Sequence, residues 1–358
     1  MENSVLSKTD TAVELAPSGA ASDVLETTQI GVVAIGRNEG DRLIRCLDSL
    51  RQHLPSSVPL IYVDSGSTDN SVSEAKQRGV QVICLDMSIP FTGARARNAG
   101  FEYLMQHFPN TQYVQFIDGD CELLPNWMPA AVAKLNDSPE QAIVFGRLRE
   151  RFPNASFYNQ LADIEWDVPA GETDVCGGIS LMRTEPLQTV GGFNDAMICG
   201  EEPELCIRLR QQGWKLSCID VDMALHDMDM HRFGQWWKRS VRGGWAVAEG
   251  AAMYAHLPER YMYRENVSGW IWGLVLPFLA LSLAFASHGV TLLLLMFAYA
   301  LLLYKIYAYR QQMGEGARKS LVYAFFCTVS KIPQVIGQVK YWLNRLQRKP
   351  ATLIEYKG

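Results

Sequence analysis

Tyr113-Val114-Gln115-Phe116-Ile117-Asp118-Gly119-Asp120 is the stretch that decides the fold. An apolar run suited to a buried strand leads directly into two carboxylates one residue apart. Alternation along a strand sends residues i and i+2 to the same side, so both carboxylates can reach one cation. A hard-oxygen pair of this kind suits Mg²⁺ or Mn²⁺, which keep positions open for phosphate oxygens. Asp-Gly is also a common turn, and a solvated strand end accounts for the same residues, so the reading depends on their surroundings.

Upstream, residues 30–35 form a short apolar run, and Leu43, Ile44, Leu47, Leu50 and Leu54 then recur at helical spacing until Pro55. A second strand over 59–63 enters Asp64-Ser65-Gly66-Ser67-Thr68-Asp69, a loop of turn formers that opens a helix over 71–78. A strand over 80–85 and a helix over 94–107 precede the central stretch; a helix over 127–135 and a strand over 143–149 follow it. Strands alternating with helices predict an α/β domain, Rossmann-like, with a mostly parallel sheet flanked by helices. Ligands bind beyond the carboxyl ends of such strands.

The net charge of −5 conceals an asymmetry: residues 1–232 carry a balance of −15 and residues 233–358 one of +10. The basic half is apolar and aromatic, which points to a membrane surface and away from nucleic acid. Eight cysteines, with no Cys-x-x-Cys pair and no zinc spacing, read as reduced thiols. Residues 1–28 are polar, lack the features of a secretory signal, and read as a disordered tail. The domain then runs over 29–232.

Between 266 and 304 there is no Asp, Glu, Lys or Arg, and Ser287-His288-Gly289 divides two apolar blocks. Each block approaches the roughly 20 residues that cross a hydrocarbon core. The expectation is a transmembrane hairpin over 266–308, with limbs 269–287 and 289–308. A buried core hairpin is the alternative, which 39 consecutive uncharged residues disfavour. Arg260, Arg264, Lys305, Arg310, Arg318 and Lys319 flank the hairpin and would hold both ends, and the catalytic half, on the cytoplasmic side of the inner membrane. Residues 233–265, with Trp236, Trp237, Lys238, Arg239, Arg242 and Trp245, read as an amphipathic juxtamembrane segment. Residues 309–358 are basic, and Lys331 and Pro333 interrupt their apolar part, so they read as interfacial helix rather than a third crossing.

Candidate functional residues lie where strands end and helices begin. Asp64 can accept the imide N–H of a uracil or bond a ribose hydroxyl, or it can cap the following turn. Gly93-Ala94-Arg95-Ala96-Arg97-Asn98-Ala99-Gly100 opens a helix with two guanidinium groups that match phosphate oxygens; solvated surface arginines are the alternative. Cys176-Gly177-Gly178 permits close backbone approach beside a sugar. In Gly200-Glu201-Glu202-Pro203-Glu204-Leu205 the helix dipole explains some of the carboxylates, and one of them can serve as general base. His226 can complete the shell of a cation, although a lone His is more often structural.

In this order the motifs resemble those of the family 2 inverting glycosyltransferases of GT-A fold, over residues 29–243. Arg37-Asn38-Glu39 looks like the family's aromatic-Asn-Glu turn, with Arg37 where an aromatic is common. Residues 63–69 look like its Val-Asp-Asp-Gly-Ser-Thr-Asp loop, 95–100 like its Ala-Arg-Asn-x-Gly segment, and 118–120 like its Asp-x-Asp. Residues 177–192 and then 200–210 are similar to its acceptor half, which ends in Gly-Glu-Asp-x-Asp-Leu.

The resemblance implies a nucleotide-sugar donor bound by Asp64, Arg97, Arg37, Glu39, Gly177 and Gly178. It implies Mg²⁺ or Mn²⁺ on Asp118, Asp120 and His226, and Glu202 as the base with Glu201 beside it. Ser65 replaces the second Asp of the nucleotide loop, which leaves uracil or guanine open, with UDP expected before GDP. Gln235-Trp236-Trp237-Lys238-Arg239 only approximates the Gln-x-x-Arg-Trp of processive synthases. The expected acceptor is therefore a hydroxyl of a membrane-held, lipid-linked glycan in surface polysaccharide or glycoconjugate synthesis. A polyprenyl-phosphate glycosyltransferase, or an inactive sugar-nucleotide-binding membrane scaffold, are the alternatives. Residues 36–40 lack the Gly-rich loop of a nucleotidyltransferase and the dinucleotide fingerprint.

Overall fold

The computed structural model describes residues 29–349 and 351–356, and the expected tail over 1–28 lies outside them. β1 (Ile30–Gly36), β2 (Leu60–Asp64) and β4 (Tyr113–Asp118) are buried along nearly their whole length, which is why they read as continuous apolar runs rather than alternation. Helices α1 (Asp41–His53), α2 (Ser71–Gln77) and α3 (Gly93–His107) connect them, with β3 (Gln81–Cys84) as the edge strand. The Thr92 hydroxyl caps α3 by accepting the Arg95 N–H at 3.1 Å. Gly100 lets that helix lie close on the sheet, since a Cβ there would stand 2.4 Å from Val33 Cγ1 and 2.9 Å from Val63 Cγ2.

The second half of the domain contains β5 (Cys121–Leu123), α4 (Trp127–Asp137), β6 (Gln141–Glu150), α5 (Phe157–Glu165), β7 (Gly171–Glu172), β8 (Ser180–Arg183), α6 (Thr184–Thr189), α7 (Glu201–Gln211) and β9 (Lys215–His226). The sheet order is β3-β2-β1-β4-β8-β6-β9-β5, with β7 also on β9. It is parallel from β3 to β4. Beyond that, β8 runs antiparallel to β4 and β6, β6 and β9 are parallel, and β5 and β7 oppose β9. Helix-strand alternation ends at β4, because β5 follows too soon for the dozen or more residues of a parallel crossover.

Register does the positioning. Gly36 pairs with Asp64 and Ile35 with Asp118, so β1, β2 and β4 end level with one another. At the other side of the cleft His226 pairs with Cys121 and Glu150.

The remaining elements are helical: α8 (Phe233–Tyr254), α9 (Tyr263–Trp270), a π-helical turn (Ile271–Val275), α10 (Leu276–Ser282), α11 (Val290–Gln312), α12 (Ala317–Val329) and α13 (Lys331–Leu346). The chain reverses at His288 and Gly289, with φ of 49° and 84°. α11 has 23 residues, none buried. The first limb departs from the expected uninterrupted helix. Pro277 has no N–H to donate to a preceding carbonyl, and the chain widens into the π turn just before it. Gly273 there sits against α13, where a Cβ would meet the Lys331 carbonyl at 2.2 Å.

From sequence, residues 317–346 are expected as interfacial helix. They form a run long and apolar enough to cross a membrane, so they and α11 are the two candidate spans. Lys331 and Pro333, which interrupt the apolar pattern, fall in the first turn of α13, where backbone N–H groups lack helical partners anyway. α13 packs on α8 through two glycines: a Cβ on Gly244 would lie 2.0 Å from the Gln334 carbonyl, and one on Gly337 2.0 Å from that of Val241.

Candidate active site

A cleft of about 610 Å³ opens at the carboxyl ends of β1 and β4, with the start of α7 and the first turns of α8 around it. Asp118, Asp120, Arg97, Glu201, Glu202 and His226 all line it. Residues that lie far apart in the sequence are thus brought to one cleft.

The centre of the cleft is an ion cluster. Arg97, one turn into α3 and 4% exposed, donates from Nη2 to Asp118 Oδ1 and from Nη1 to Glu201 Oε1, both at 2.9 Å. Its Nη1 also lies 3.2 Å from Glu202 Oε1. Burial works against the guanidinium's charge, yet Glu202, Asp118 and Glu201 together raise its pKa above the ordinary value. Burial pushes the Glu202 carboxyl up to about 7, and the neighbouring Glu201 charge adds to this against the pull of Arg97. Glu202 is the more exposed of the two glutamates, with 15% of its side chain accessible against 5% for Glu201.

Two glycines make room for this cluster. A Cβ on Gly178 would lie 2.3 Å from Arg97 Nη2 and 2.9 Å from Glu202 Oε1. A Cβ on Gly93 would lie 2.6 Å from Glu201 Oε1. Gly177, by contrast, is exposed with nothing near its Cβ position.

Asp120 stands at the turn between β4 and β5. Its Oδ2 lies 3.2 Å from His226 Nε2, and the edge of the imidazole meets Trp166 at 4.5 Å between ring centroids. His226 Nδ1 is buried without a hydrogen-bond partner. Cys121 joins this pair, the ligand-type atoms of Asp120, Cys121 and His226 all lying within 4.8 Å of one another. The sequence reading passed over Cys121, whose only signal was its place after Asp120. Asp118 lines the same cleft but is not part of this close group, so among the expected metal residues only Asp120 and His226 stand together. Asp118 is held from the other side by Arg97.

The remaining expected residues are distributed as follows. Asp64 is 2% exposed, and its carboxylate accepts N–H groups of Gly66 and Ser67 at 3.0 and 2.9 Å and the Tyr62 hydroxyl at 3.1 Å. It braces the loop whose Ser65 lines the cleft. Arg37 and Glu39 both line the cleft: Arg37 lies 4.5 Å over the Phe91 ring and pairs with Glu355, and Glu39 pairs with Arg42. Asn38, in left-handed conformation at φ 55°, accepts the Thr68 N–H at 2.7 Å and so ties the first loop to the second.

The far wall was not anticipated as part of the site. Arg232 caps α8, Gln235 and Arg242 lie on it, and Glu355 and Tyr356 come from the last described stretch of the chain. Tyr356 packs against the buried cluster that includes Leu161, Met230 and Trp236, and Arg242 approaches its ring at 5.8 Å. No periodicity in 351–356 marks this return.

Residues 32–191 match the family described as glycosyl transferase family 2. Among solved structures, the chain is similar to the mannosyltransferase PcManGT from Pyrobaculum calidifontis in complex with GDP-Man and Mn²⁺. Identity is 17%, the alignment covers 91% of this chain and 94% of that one, and the TM-score is 0.60. It also matches residues 1–349 of S. aureus TarS at 14% identity, with 67% and 69% of the two chains covered and a TM-score of 0.46. The UDP complex of that protein matches at 12% identity over 90% and 92%, with a TM-score of 0.47. No curated protein matches in sequence.

Proposed function

We propose that the domain around residues 32–191, which matches glycosyl transferase family 2 and has the GT-A fold, carries out an inverting, metal-dependent transfer of one sugar from a nucleotide donor to a membrane-held acceptor. The observation that carries the reading is the convergence of Asp118, Asp120, Arg97, Glu202 and His226 on one cleft. Asp118 and Asp120, with His226 beside them, would hold Mg²⁺ or Mn²⁺. When bound, that ion supplies charge stabilisation for a leaving diphosphate. Arg97 fixes the positions of Asp118 and both glutamates and carries positive charge into the same region.

Glu202 takes the proton of the acceptor hydroxyl as it attacks the anomeric carbon from the face opposite the diphosphate. A carboxyl with a pKa of about 7 suits that work, being half ionised near neutral pH. The anomeric configuration inverts, with no covalent intermediate. Arg37, Glu39, Asp64 and Gly178 belong to the donor side, Asp64 by bracing its loop and Gly178 by leaving space for Arg97 and Glu202.

UDP is the expected nucleotide; the Pyrobaculum enzyme's GDP-Man makes GDP the first alternative. The candidate spans support a domain held at the cytoplasmic face of the inner membrane, with a lipid-linked glycan as acceptor in surface polysaccharide or glycoconjugate synthesis. The test is transfer from a panel of radiolabelled UDP- and GDP-sugars to a membrane lipid extract, with and without Mn²⁺. Label in the lipid fraction only with metal and the native chain, and not with Glu202→Gln, is the expected result. Undiminished transfer by Glu202→Gln would favour an acceptor phosphate, which needs no base.

A further inference from the structure

A second cavity, of about 490 Å³, lies at the seam between the catalytic domain and the C-terminal helices, lined by α5, α8, α12 and α13. Its charged lining residues are Arg239, Arg242 and Glu165, so cations outnumber carboxylates. Arg239 Nη1 lies 2.8 Å from Glu165 Oε2, while Arg242 has no such close carboxylate in the trio and feels the Glu201 and Glu202 charges of the adjoining cleft. The rest of the wall mixes Leu161, Trp236, Tyr323 and Phe326 with the polar Ser240, Ser330 and Gln334. Gly200, Arg242 and Tyr356 line both this cavity and the cleft, so the two communicate beside the residue that precedes Glu201 and Glu202.

We propose that this cavity binds the phosphate or diphosphate headgroup of a lipid, held by Arg239 and Arg242 with its apolar chain leaving along α12. Three features converge on that chemistry. Guanidinium forks match phosphate oxygens. Aromatic walls suit the first carbons of an attached chain. The cavity borders α12 and α13, whose residues make up one of the two candidate membrane spans. Naming the headgroup as that of the sugar acceptor rests on the function proposed above. The occupancy itself does not.

Binding of farnesyl diphosphate to the full chain in detergent, followed by isothermal titration calorimetry, tests the proposal. Farnesol and inorganic pyrophosphate serve as separate arms. The native chain should bind farnesyl diphosphate at least about tenfold more tightly than either arm, since farnesol lacks the charge-assisted hydrogen bonds and pyrophosphate lacks the apolar chain, and either loss accounts for roughly that factor. Arg239→Gln should weaken it by about ten- to a hundredfold.

Because that variant leaves Glu165 without its cation, Gly243→Leu provides a second route. Gly243 lines the cavity, and nothing lies within 4 Å of its Cβ position, so a larger side chain fills the cavity without disturbing the core. It should abolish binding. Equal affinity in all three proteins overturns the proposal. So does farnesol binding as well as the diphosphate, which marks micelle partition, or pyrophosphate binding as well, which marks a free-anion site. UDP and GDP titrated with Mn²⁺ keep the two readings apart. A native chain that binds nucleotide but not farnesyl diphosphate sinks this inference alone; one that binds farnesyl diphosphate but no nucleotide supports it and sinks the reading of the cleft.

Discussion

Arg97→Met removes the cation that joins Asp118, Glu201 and Glu202, and the consequence can be worked out from the ion cluster. The guanidinium is 4% exposed and lies 2.9 Å from two of the carboxylates and 3.2 Å from the third. Deleting one partner of a buried pair costs about 3–5 kcal/mol, because the other charge is left uncompensated. Asp118, with 36% of its side chain exposed, can recover hydration, so the lower end of that range applies. For a domain of about 200 residues, a loss of about 3 kcal/mol lowers Tm by roughly 6–12 °C.

The pH dependence gives the sharper check. Burial and Glu201 already hold the folded Glu202 pKa at about 7, and Arg97 is what opposes them. Without Arg97 that pKa rises further. A carboxyl whose folded pKa lies above its unfolded value favours folding while protonated, and that contribution is lost as pH rises from the unfolded value through the folded one. The deficit of the variant is therefore larger at pH 8 than at pH 5.5. Thermal unfolding of the detergent-solubilised native and variant chains at both values measures it. A variant that melts with the native chain at both pH values, or loses more stability at pH 5.5, would refute the cluster as described.

Three further outcomes follow from particular contacts. kcat/KM for transfer should climb as pH rises through about 7 and then level as Glu202 ionises, a limb that Glu202→Gln, itself inactive, cannot show. A pH-independent rate between 5.5 and 8.5 would remove Glu202 as base. Gly178→Ala should destabilise the domain by about 1–3 kcal/mol and slow transfer at least about tenfold, since its Cβ would meet Arg97 at 2.3 Å; Gly177→Ala, with open space around it, should be neutral in the same melting and rate assays. Gly244→Leu should force α13 away from α8, where a Cβ already lies 2.0 Å from the Gln334 carbonyl, and hydrogen exchange of the α13 amides should rise.

The α/β half was legible because its strands are buried on both faces and its helices carry one apolar stripe, so period and length separate them. The 113–120 stretch showed both the central strand and the carboxylates at its end, and the break at 287–289 marked the end of a turn that begins earlier, at 283, where the preceding helix stops. Individual roles were harder to read. Arg97 reads in sequence as a phosphate ligand, but its guanidinium is turned inward to three carboxylates that lie 21 to 105 positions further along the chain. Gly178 reads as a place for a sugar, whereas its missing side chain is needed by the protein's own ion cluster. Asp64 spends its oxygens on its own loop. The π turn before Pro277 and the docking of 351–356 depend on packing between distant segments, which no local periodicity records.

The most direct test of the account is whether Asp118 and Asp120 hold a metal-bound nucleotide. Melting temperature of the full chain should rise with UDP or GDP plus Mn²⁺, since a ligand that binds only the folded state stabilises it. The rise should be absent without the metal and absent in Asp120→Asn. A nucleotide-dependent rise of the same size without Mn²⁺, or in Asp120→Asn, would contradict the central claim.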